Sequence, residues 1–257
     1  MTRPAVSQRL FALILAGGSF LALTASAVRA DEPAAPVAAA LAAPPGLARI
    51  NVAPLRFELD ASKPTATLML TNTSERAVPV QTRLFAWSQE DGEDRFAPSS
   101  ALTISPAIIS IPAGATQIVR LLRNGTASLG EKHFRLAVDQ LPDPMMAQAG
   151  AAEARLRFTI PVFLDRDTAA PAQLDWKIGP DKIELSNSGG STARIVSIEV
   201  KNAAGTVVPL ERNSLRYVLG SSAIAWPFAS ACKIGPVTIT AQVDGQTANA
   251  QVSPSCG

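Results

Sequence analysis

The chain has few of the residue types on which most enzyme and metal sites depend. Among its 257 residues there are one histidine, His133, and two cysteines, Cys232 and Cys256. A single histidine excludes a multi-histidine metal site, and two cysteines exclude a zinc site of four thiolates. The sequence also lacks a Gly-x-Ser-x-Gly motif, a phosphate-binding loop, a dinucleotide-binding fingerprint and a Cys-x-x-Cys motif. We therefore expect no enzyme activity, no catalytic residues, no metal and no cofactor, and a function that depends on a binding surface.

The composition nevertheless supports a folded protein. Aromatic residues make up 5% and charged residues 17% of the chain, but hydrophobic residues make up 47%. That share is enough for hydrophobic cores and excludes a wholly disordered chain. Twenty prolines and sixteen glycines indicate many turns, as in β-rich proteins.

The N-terminus has the pattern of a targeting segment. Arg3 and Arg9 precede the apolar run Leu10–Leu23, and small residues follow up to Ala30. This order is typical of a secretory signal peptide. The alternative, a membrane anchor, needs a run of about 20 residues, and this one has 14. We predict a signal peptide at residues 1–30, a periplasmic location, and no membrane span in the mature protein.

Removal of the signal peptide changes the charge of the chain. Residues 1–30 contain three of the 23 basic residues and none of the 21 acidic ones, so 20 basic residues remain against 21 acidic ones, a net charge of −1. A nearly neutral protein lacks the basic surface of a nucleic-acid-binding protein. We expect no nucleic-acid partner.

The remainder of the chain divides into a lead-in and two series of short strands. Residues 31–48 are rich in alanine and proline and predict a flexible segment. Short apolar stretches separated by turn residues then follow, which is typical of antiparallel sandwiches. We predict an all-β fold with two immunoglobulin-like sandwiches in tandem: an N-terminal domain at 49–165, a linker at 166–171 and a C-terminal domain at 172–257.

The apolar stretches give the expected strands. In the first domain these are Ile50–Leu59, Thr65–Thr71, Val78–Trp87, Thr116–Leu122, His133–Leu141 and Arg155–Leu164. In the second they are Leu174–Ile178, Lys182–Ser186, Arg194–Asn202, Thr206–Leu210, Leu215–Leu219, Val237–Val243 and Thr247–Val252.

The two cysteines predict a disulfide. Cys232 and Cys256 both fall in the second predicted domain, and an even number of cysteines in an exported protein favours pairing. Closing a loop of this size stabilises a protein by about 3 kcal/mol in the chain-entropy model. The alternative, a redox or metal role, is disfavoured by the wide spacing and the absence of a nearby histidine.

Three segments of the first domain carry motifs that occur together in one family. The first is Ile50–Leu59 followed by Thr67–Asn72, with a basic residue in the first strand and an asparagine that ends the next. The second is Pro106–Gly114 followed by Gln117–Leu121, and the third is Glu131–Pro142. In this order and spacing they resemble the periplasmic chaperones of the chaperone–usher pathway, the PapD-like family. The second domain resembles the family more weakly, at residues 174–176 and 183–189.

The resemblance implies a chaperone that completes unfinished pilus subunits. A subunit of this pathway lacks its last strand, and the chaperone lends an edge strand that pairs through the backbone and inserts alternate side chains. Leu156 and Phe158 share one face of the last strand of the first domain, and Ala152 and Ala154 continue that parity. We predict these four as the donor residues; the alternative is an ordinary half-buried strand that serves its own core.

The loop before the donor strand is a second candidate contact. Met145 and Met146 are adjacent in it, and methionine adapts to irregular surfaces. We predict that they face the partner; the alternative is that they pack on their own domain.

The family holds the C-terminal carboxylate of its subunit with an arginine of the first strand and a lysine of the last strand. Arg56 matches the arginine, with a solvated strand residue as the alternative. Pro161 stands where the lysine is expected, so the paired cationic site departs from the family pattern. Arg157 lies on the same strand face and is the candidate second cation, although it is roughly 13 Å away along the strand. This departure resembles the divergent branch that serves spore-coat-U-like subunits.

The leading hypothesis is therefore a periplasmic chaperone whose partners are pilus, fimbrial or spore-coat-U-like subunits and an outer-membrane usher. A first alternative is that the chain is itself a secreted subunit or adhesin of such a system. A second is an extracytoplasmic hydrolase or metalloprotein, which the missing catalytic and ligand residues disfavour.

The predicted disulfide can be tested directly. The mature protein should show no free thiol when it is denatured without reductant and titrated with a thiol reagent, and two thiols after reduction. Two reactive thiols per unreduced chain would contradict the pairing of Cys232 with Cys256.

Overall fold

A computed structural model describes residues 50–142, 155–211, 215–229 and 231–255, all within one compact unit. The regular structure of these residues is almost all β, with one short α-helix, Ala231–Ile234, and a 3-10 turn, Arg166–Thr168. No helix in this part of the chain is long and apolar enough to cross a membrane. The all-β prediction is therefore confirmed.

The first sandwich is built from ten strands in two sheets. One sheet has the order β1 (Ile50–Ala53), β3 (Thr65–Asn72), β8 (Thr116–Arg123) and β6 (Leu102–Ser105). The other has the order β2 (Phe57–Leu59), β10 (Arg157–Leu164), β9 (Lys132–Gln140), β4 (Val78–Glu90) and β5 (Glu93–Pro98), with β7 (Ile108–Ile111) also paired to β4.

The second sandwich is built from eight strands. Its three-stranded sheet has the order β11 (Leu174–Ile178), β12 (Lys182–Asn187) and β16 (Ser222–Pro227). Its larger sheet has the order β14 (Val207–Val208), β13 (Ala193–Asn202), β17 (Val237–Val243) and β18 (Gln246–Val252), with β15 (Arg216–Val218) also paired to β13. No described strand of one sandwich pairs with a strand of the other. The predicted division at residues 166–171 falls between β10 and β11, and its boundaries stay a prediction.

Each sandwich buries its own apolar side chains between its sheets. Leu68 and Leu121 from one sheet meet Leu136 and Val162 from the other, and each is essentially inaccessible to solvent. The second sandwich has two comparable clusters of buried residues, one of which includes Ile224. Period-two alternation in strands such as β8 places every second side chain in this core.

The first predicted strand, Ile50–Leu59, is two strands in the structure. β1 pairs antiparallel with β3, whereas β2 pairs parallel with β10 in the opposite sheet. The chain crosses between the sheets at residues 54–56. Pro54 has no amide hydrogen and cannot continue a ladder, so the strand breaks where proline occurs.

Several other strands differ from the sequence expectation. Strands β5, β6, β7 and β16 were not expected, and the predicted strand Thr206–Leu210 shrinks to the two residues of β14. β5 completes a hairpin with β4 through Asp91 and Gly92, both with positive φ, which is the geometry of a tight two-residue hairpin turn. All six residues of β5 are exposed, so hydrophobic alternation does not reveal this edge strand.

The linker packs closely on the second sandwich. The backbone amides of Gly190 and Ser191 both donate to the carbonyl of Ala170, at 3.1 and 2.9 Å. A Cβ atom on Gly189 would lie 2.0 Å from the Pro171 carbonyl oxygen. Glycine at this position therefore lets the two backbones touch, and the linker is part of the second sandwich rather than a loose tether.

A buried ion pair fixes the end of β10. Asp165 is 1% exposed and accepts hydrogen bonds from both terminal nitrogens of Arg123, from Nη2 at 2.8 Å. The amide of Ser128 also donates to this carboxylate, at 2.9 Å. These hydrogen bonds, that from Arg123 above all, lower the pKa of Asp165 from 3.8 to about 2. The strand end and the loop after β8 are therefore held by one carboxylate.

Cys232 lies in the short α-helix, and no cysteine in the described part of the chain is free. Cys256 lies outside the described residues, so its pairing with Cys232 stays a prediction.

The pH dependence of unfolding should report this ion pair. The Asp165 carboxylate has a folded pKa of about 2 against an ordinary value of 3.8, so its stabilisation is complete above pH 4 and is lost as the pH falls towards 2. The loss amounts to about 2 kcal/mol. We expect Asp165→Asn to destabilise the protein by about 3 kcal/mol at pH 7, because Arg123 stays buried without its partner. The variant should also show a shallower loss of stability between pH 4 and 2, measured by urea unfolding.

The exposed neighbour Asp167 provides the control, and Asp167→Asn should keep the wild-type pH profile. Asparagine tolerates the left-handed backbone of Asp165, which has φ 58°, so backbone strain does not confound the comparison. Matching pH profiles for Asp165→Asn and wild type would contradict the assignment.

Candidate functional site

One edge of β10 is only partly covered. β9 pairs with β10 over its whole length, whereas β2 pairs with it only at Val162–Leu164. Within the described residues, Arg157–Pro161 therefore has no neighbour on the side away from β9. An uncovered strand edge is a template for pairing with another chain.

The hydrogen-bond parity of β10 shows which backbone groups this edge offers. The amide of Gln140 in β9 donates to the carbonyl of Leu156 at 2.9 Å, so in an antiparallel ladder residues 156, 158 and 160 bond to β9. Residues 157, 159 and 161 then point their backbone groups outward. Arg157 and Thr159 offer both an amide and a carbonyl, whereas Pro161 offers only a carbonyl.

The apolar side chains of the donor strand are shared with the home core. Leu156 is 36% exposed, Phe158 is half-buried against the core, and Ile160 and Val162 are fully buried in it. Towards its C-terminal end the strand therefore serves its own sandwich, and towards its N-terminal end it becomes accessible. Ala152, Ala154, Met145 and Met146 lie outside the described residues, so their predicted roles stay predictions.

Arg157 does not lie with Arg56. It faces Asp139 across the β9–β10 ladder and binds that carboxylate through Nε, and Arg83 donates to the same carboxylate from Nη2 at 2.7 Å. These hydrogen bonds outweigh burial, which acts in the opposite direction, and lower the pKa of Asp139. The Arg157 side chain is 62% exposed. The structure places it at the outer end of the free edge, four residues from Pro161.

The inner end of the free edge lies where the two sandwiches meet, a region that we call the cleft. An aromatic cluster formed by Trp87 and Phe163 of the first sandwich and Tyr217 and Leu219 of the second lines this region, and all four residues are buried. The Tyr217 ring stands edge-on to Trp87, with 5.6 Å between centroids and an angle of 84°. Pro161 is buried on the same strand face, two residues before Phe163.

One cation beside the aromatic cluster is Arg135, on β9. It lies directly across the ladder from Pro161. Its guanidinium carbon is 3.8 Å from the ring centroid of Trp87 and 5.0 Å from that of Tyr217, a stacking arrangement that arginine favours. Burial lowers the pKa of Arg135, although Asp94 and the Tyr217 phenol oppose this effect. Among the described residues, it has no hydrogen bond or ion pair, so its donors are available.

Arg56 approaches the same cluster from the first strand. It lies just before β2, with its guanidinium carbon 4.7 Å from the ring centroid of Phe163. Its Nε donates to Glu58 at 2.7 Å, and its side chain is 29% exposed. Arg56 and Arg135 therefore flank Phe163 and Pro161, with the Arg56 charge balanced by Glu58 and the Arg135 charge unpaired among the described residues.

A second buried carboxylate holds the two sandwiches together beside the cleft. Glu131 of the first sandwich accepts hydrogen bonds from the Thr192 amide, at 2.8 Å, and from the Thr192 hydroxyl. Arg166 in the linker binds the same carboxylate and donates to the Thr192 carbonyl at 2.9 Å. Burial raises the pKa of Glu131, but the nearby His133 Nε2, 3.2 Å from Oε1, and the hydrogen bonds from Thr192 outweigh burial, so the pKa is lowered.

Sequence reasoning did not select Arg135 or Tyr217. The only signal for Arg135 is a cation between the apolar residues Phe134 and Leu136, and its place opposite Pro161 depends on strand register. No sequence signal connects Tyr217 with the first sandwich, since they are far apart in the chain. No set of three or more potential ligands in the described ranges could hold a metal ion.

Comparisons with known proteins show which family model and which folds the chain is similar to. Residues 49–168 match the family model of the pili and flagellar-assembly chaperone, PapD N-terminal domain. No curated protein matches the sequence.

Solved structures share the fold over most of the chain. One belongs to the CsuC–CsuE chaperone–tip adhesion subunit pre-assembly complex of the archaic chaperone–usher Csu pili of Acinetobacter baumannii, with TM-score 0.63, 19% identity, and coverage of 80% of this chain and 99% of that chain. The Pseudomonas aeruginosa CupB2 chaperone has TM-score 0.55, 17% identity and coverage of 80% and 100%. The Salmonella enterica SafA pilin complex with the SafB chaperone gives TM-score 0.58, 15% identity and coverage of 80% and 97%.

Proposed function

We propose that this chain is a pilus-assembly chaperone of the PapD-like family, whose N-terminal domain model matches residues 49–168, and that it caps incomplete immunoglobulin-like subunits by lending them its free edge. The observation that carries the proposal is the uncovered stretch of β10 at Arg157–Pro161. A subunit that lacks its last strand exposes an apolar groove, and an added strand satisfies its backbone and fills that groove.

The position of β2 gives the direction of the guest strand. β2 runs parallel to β10 and covers its last three residues, so a guest on the free part of the same edge lies in line with β2. A parallel guest ends where β2 begins, and the residue just before β2 is Arg56. The C-terminal carboxylate of a subunit therefore meets a guanidinium there.

Pro161 limits how far the guest can pair. It has no amide to donate at the edge, whereas Thr159 and Arg157 offer both backbone groups. Backbone pairing therefore ends near the aromatic cluster, and beyond that point side chains must hold the guest.

We assign the second cation of the carboxylate site to Arg135 rather than to Arg157. Arg135 lies across from Pro161, whereas Arg157 binds Asp139 at the far end of the edge. Arg135 on the neighbouring strand supplies the positive charge that Pro161 cannot supply. This difference supports the divergent branch that serves spore-coat-U-like subunits.

The proposal includes the setting in which such a protein works. The chain acts in the periplasm, without enzyme activity, and delivers its subunit to an outer-membrane usher, where strand exchange between subunits supplies the driving force. The pairing of a chaperone with a tip adhesion subunit or a pilin in two of the similar structures supports a pilus or fimbrial subunit as the partner. A secreted subunit, the alternative, fits less well because the described side chains of each sandwich already fill its core.

Replacing Thr159 with proline tests backbone pairing at the edge. The Thr159 amide points away from β9, so the variant should keep the home ladder and lose one donor to the guest, as Pro161 already does. We expect at least a tenfold weaker complex with a fimbrial subunit of the same bacterium, measured as the fraction that co-purifies after co-expression in the periplasm. Unchanged co-purification would contradict the edge assignment.

Two controls accompany this measurement. Thr159→Val keeps the amide and the shape of the exposed side chain, so it should bind like wild type. Circular dichroism of Thr159→Pro should show the wild-type spectrum, which separates lost pairing from lost folding.

Replacing Arg135 tests the carboxylate site. We expect Arg135→Met to weaken binding of a subunit with a free C-terminus by on the order of tenfold to a hundredfold, since a hydrogen bond to a charged group contributes about 1.5–3 kcal/mol. A subunit with its terminal carboxylate amidated by ligation should bind the variant and wild type equally. The measurement is isothermal titration of the purified components.

Arg157→Met provides the matched control, because it removes the same charge from the outer end of the edge. It should retain the preference for a free carboxylate. Loss of that preference in Arg157→Met but not in Arg135→Met would return the second cation to Arg157.

A further inference from the structure

We propose that the hydroxyl of Tyr217, in the second sandwich, is a third donor to the bound carboxylate, and that Gln89 positions it. The inference rests on the proposed function, since it needs an anion in the cleft. It extends that function by assigning a binding residue to the second sandwich, which otherwise only flanks the site.

Tyr217 faces the first sandwich from the short strand β15. Its ring centroid is 5.6 Å from that of Trp87 and 6.3 Å from that of Phe163, and the guanidinium carbon of Arg135 is 5.0 Å away. The same Phe163 ring lies under Arg56. One aromatic surface therefore carries both cations of the carboxylate site, and Tyr217 forms its wall on the side of the second sandwich.

The Tyr217 hydroxyl has no partner within the part of the chain that the structure describes, although the residue is only 8% exposed. The hydroxyl oxygen is not one of the fully buried atoms that lack a partner in this part of the chain, so a ligand can reach it. The guanidinium of Arg135, beside the same ring, attracts anions and cannot accept a hydrogen bond from the hydroxyl. A carboxylate between Arg135 and Tyr217 satisfies both groups.

Gln89 sets the position of Tyr217. Its Nε2 donates to the Tyr217 carbonyl at 2.8 Å, and its Oε1 accepts from the Leu219 amide at 3.0 Å. The side-chain amide of Gln89 therefore makes the two hydrogen bonds to this segment that the backbone of a neighbouring strand would make. Asp94 of β5 accepts a further hydrogen bond from Nε2 at 2.9 Å, which fixes the amide orientation.

A neighbouring contact anchors the same hairpin. Arg216 of β15 donates from Nη2 to the Gly92 carbonyl at the tip of the β4–β5 hairpin, at 2.9 Å. The hairpin thus reaches from the first sandwich to both sides of Tyr217. A carboxylate held by Arg135 and Tyr217 would therefore be held by both sandwiches at once.

The test measures discrimination between a carboxylate and an amide. The probe is a labelled nine-residue peptide of alternating valine and threonine, made with a free C-terminal carboxylate or a carboxamide, and titrated against the full mature protein by fluorescence polarisation. We expect wild type to prefer the carboxylate and Tyr217→Phe to lose about tenfold of that preference. Affinity for the amide peptide should not change, because the ring and its packing remain.

Gln89→Ala should reduce the preference for the carboxylate peptide by a similar factor, although Gln89 does not contact the ligand. If Gln89 had a purely structural role, its loss would weaken binding of both peptides equally. Gln242→Ala, which removes an amide on β17 that binds only Thr247 among the described residues, should behave as wild type. If wild type prefers the carboxylate and Tyr217→Phe keeps the full preference, the inference is wrong while the proposed function stands. If wild type binds neither peptide, or both equally, the carboxylate site of the proposed function fails and the inference fails with it.

Discussion

β2 covers only part of the edge of β10, and the proposed function depends on the part that stays free. β2 pairs with three residues of β10 after the chain has crossed from the opposite sheet. A complete sandwich would cover the whole edge of β10, and the protein would then have no free edge with which another chain could pair. The crossing at Pro54 thus gives one strand both a closed half, which stabilises the home core, and an open half, which is free for another chain.

The closed half makes the open half usable. Val162 and Ile160 are packed in the core, and Asp165 anchors the strand end through Arg123, so the open residues extend from a rigid base. A preorganised edge loses little conformational entropy when a guest pairs with it. Rigidity also extends to the second sandwich, because Glu131, Arg166 and Thr192 join the two units beside the cleft. The anion site can therefore be assembled from residues on different strands and different sandwiches without a large ordering cost.

The sequence predicted the parts of this arrangement that depend on local pattern. Alternation identified the core strands and the amphipathic strand β10, and the motifs around Arg56 and Pro161 pointed to the region where β2 meets β10. The pattern could not reveal β5, which has no buried face, or the break in the first strand, where apolar residues continue on both sides of Pro54. It also could not place Arg135 opposite Pro161, since strand register is a long-range property. Strand parity puts Arg157 on the same face as Pro161, but the spacing along β10 already separates the two residues in the sequence.

An open edge also exposes the unoccupied protein to pairing with another copy of itself. Two copies could in principle join their open strands and form a continuous sheet. Such a pair would form only a short ladder, because Pro161 has no amide to donate at one end. The early stop disfavours self-association, whereas a guest that meets the same stop and ends in a carboxylate would gain contacts with Arg56 and Arg135. The residue that limits the reach of the free edge would thereby also limit pairing between two unoccupied copies.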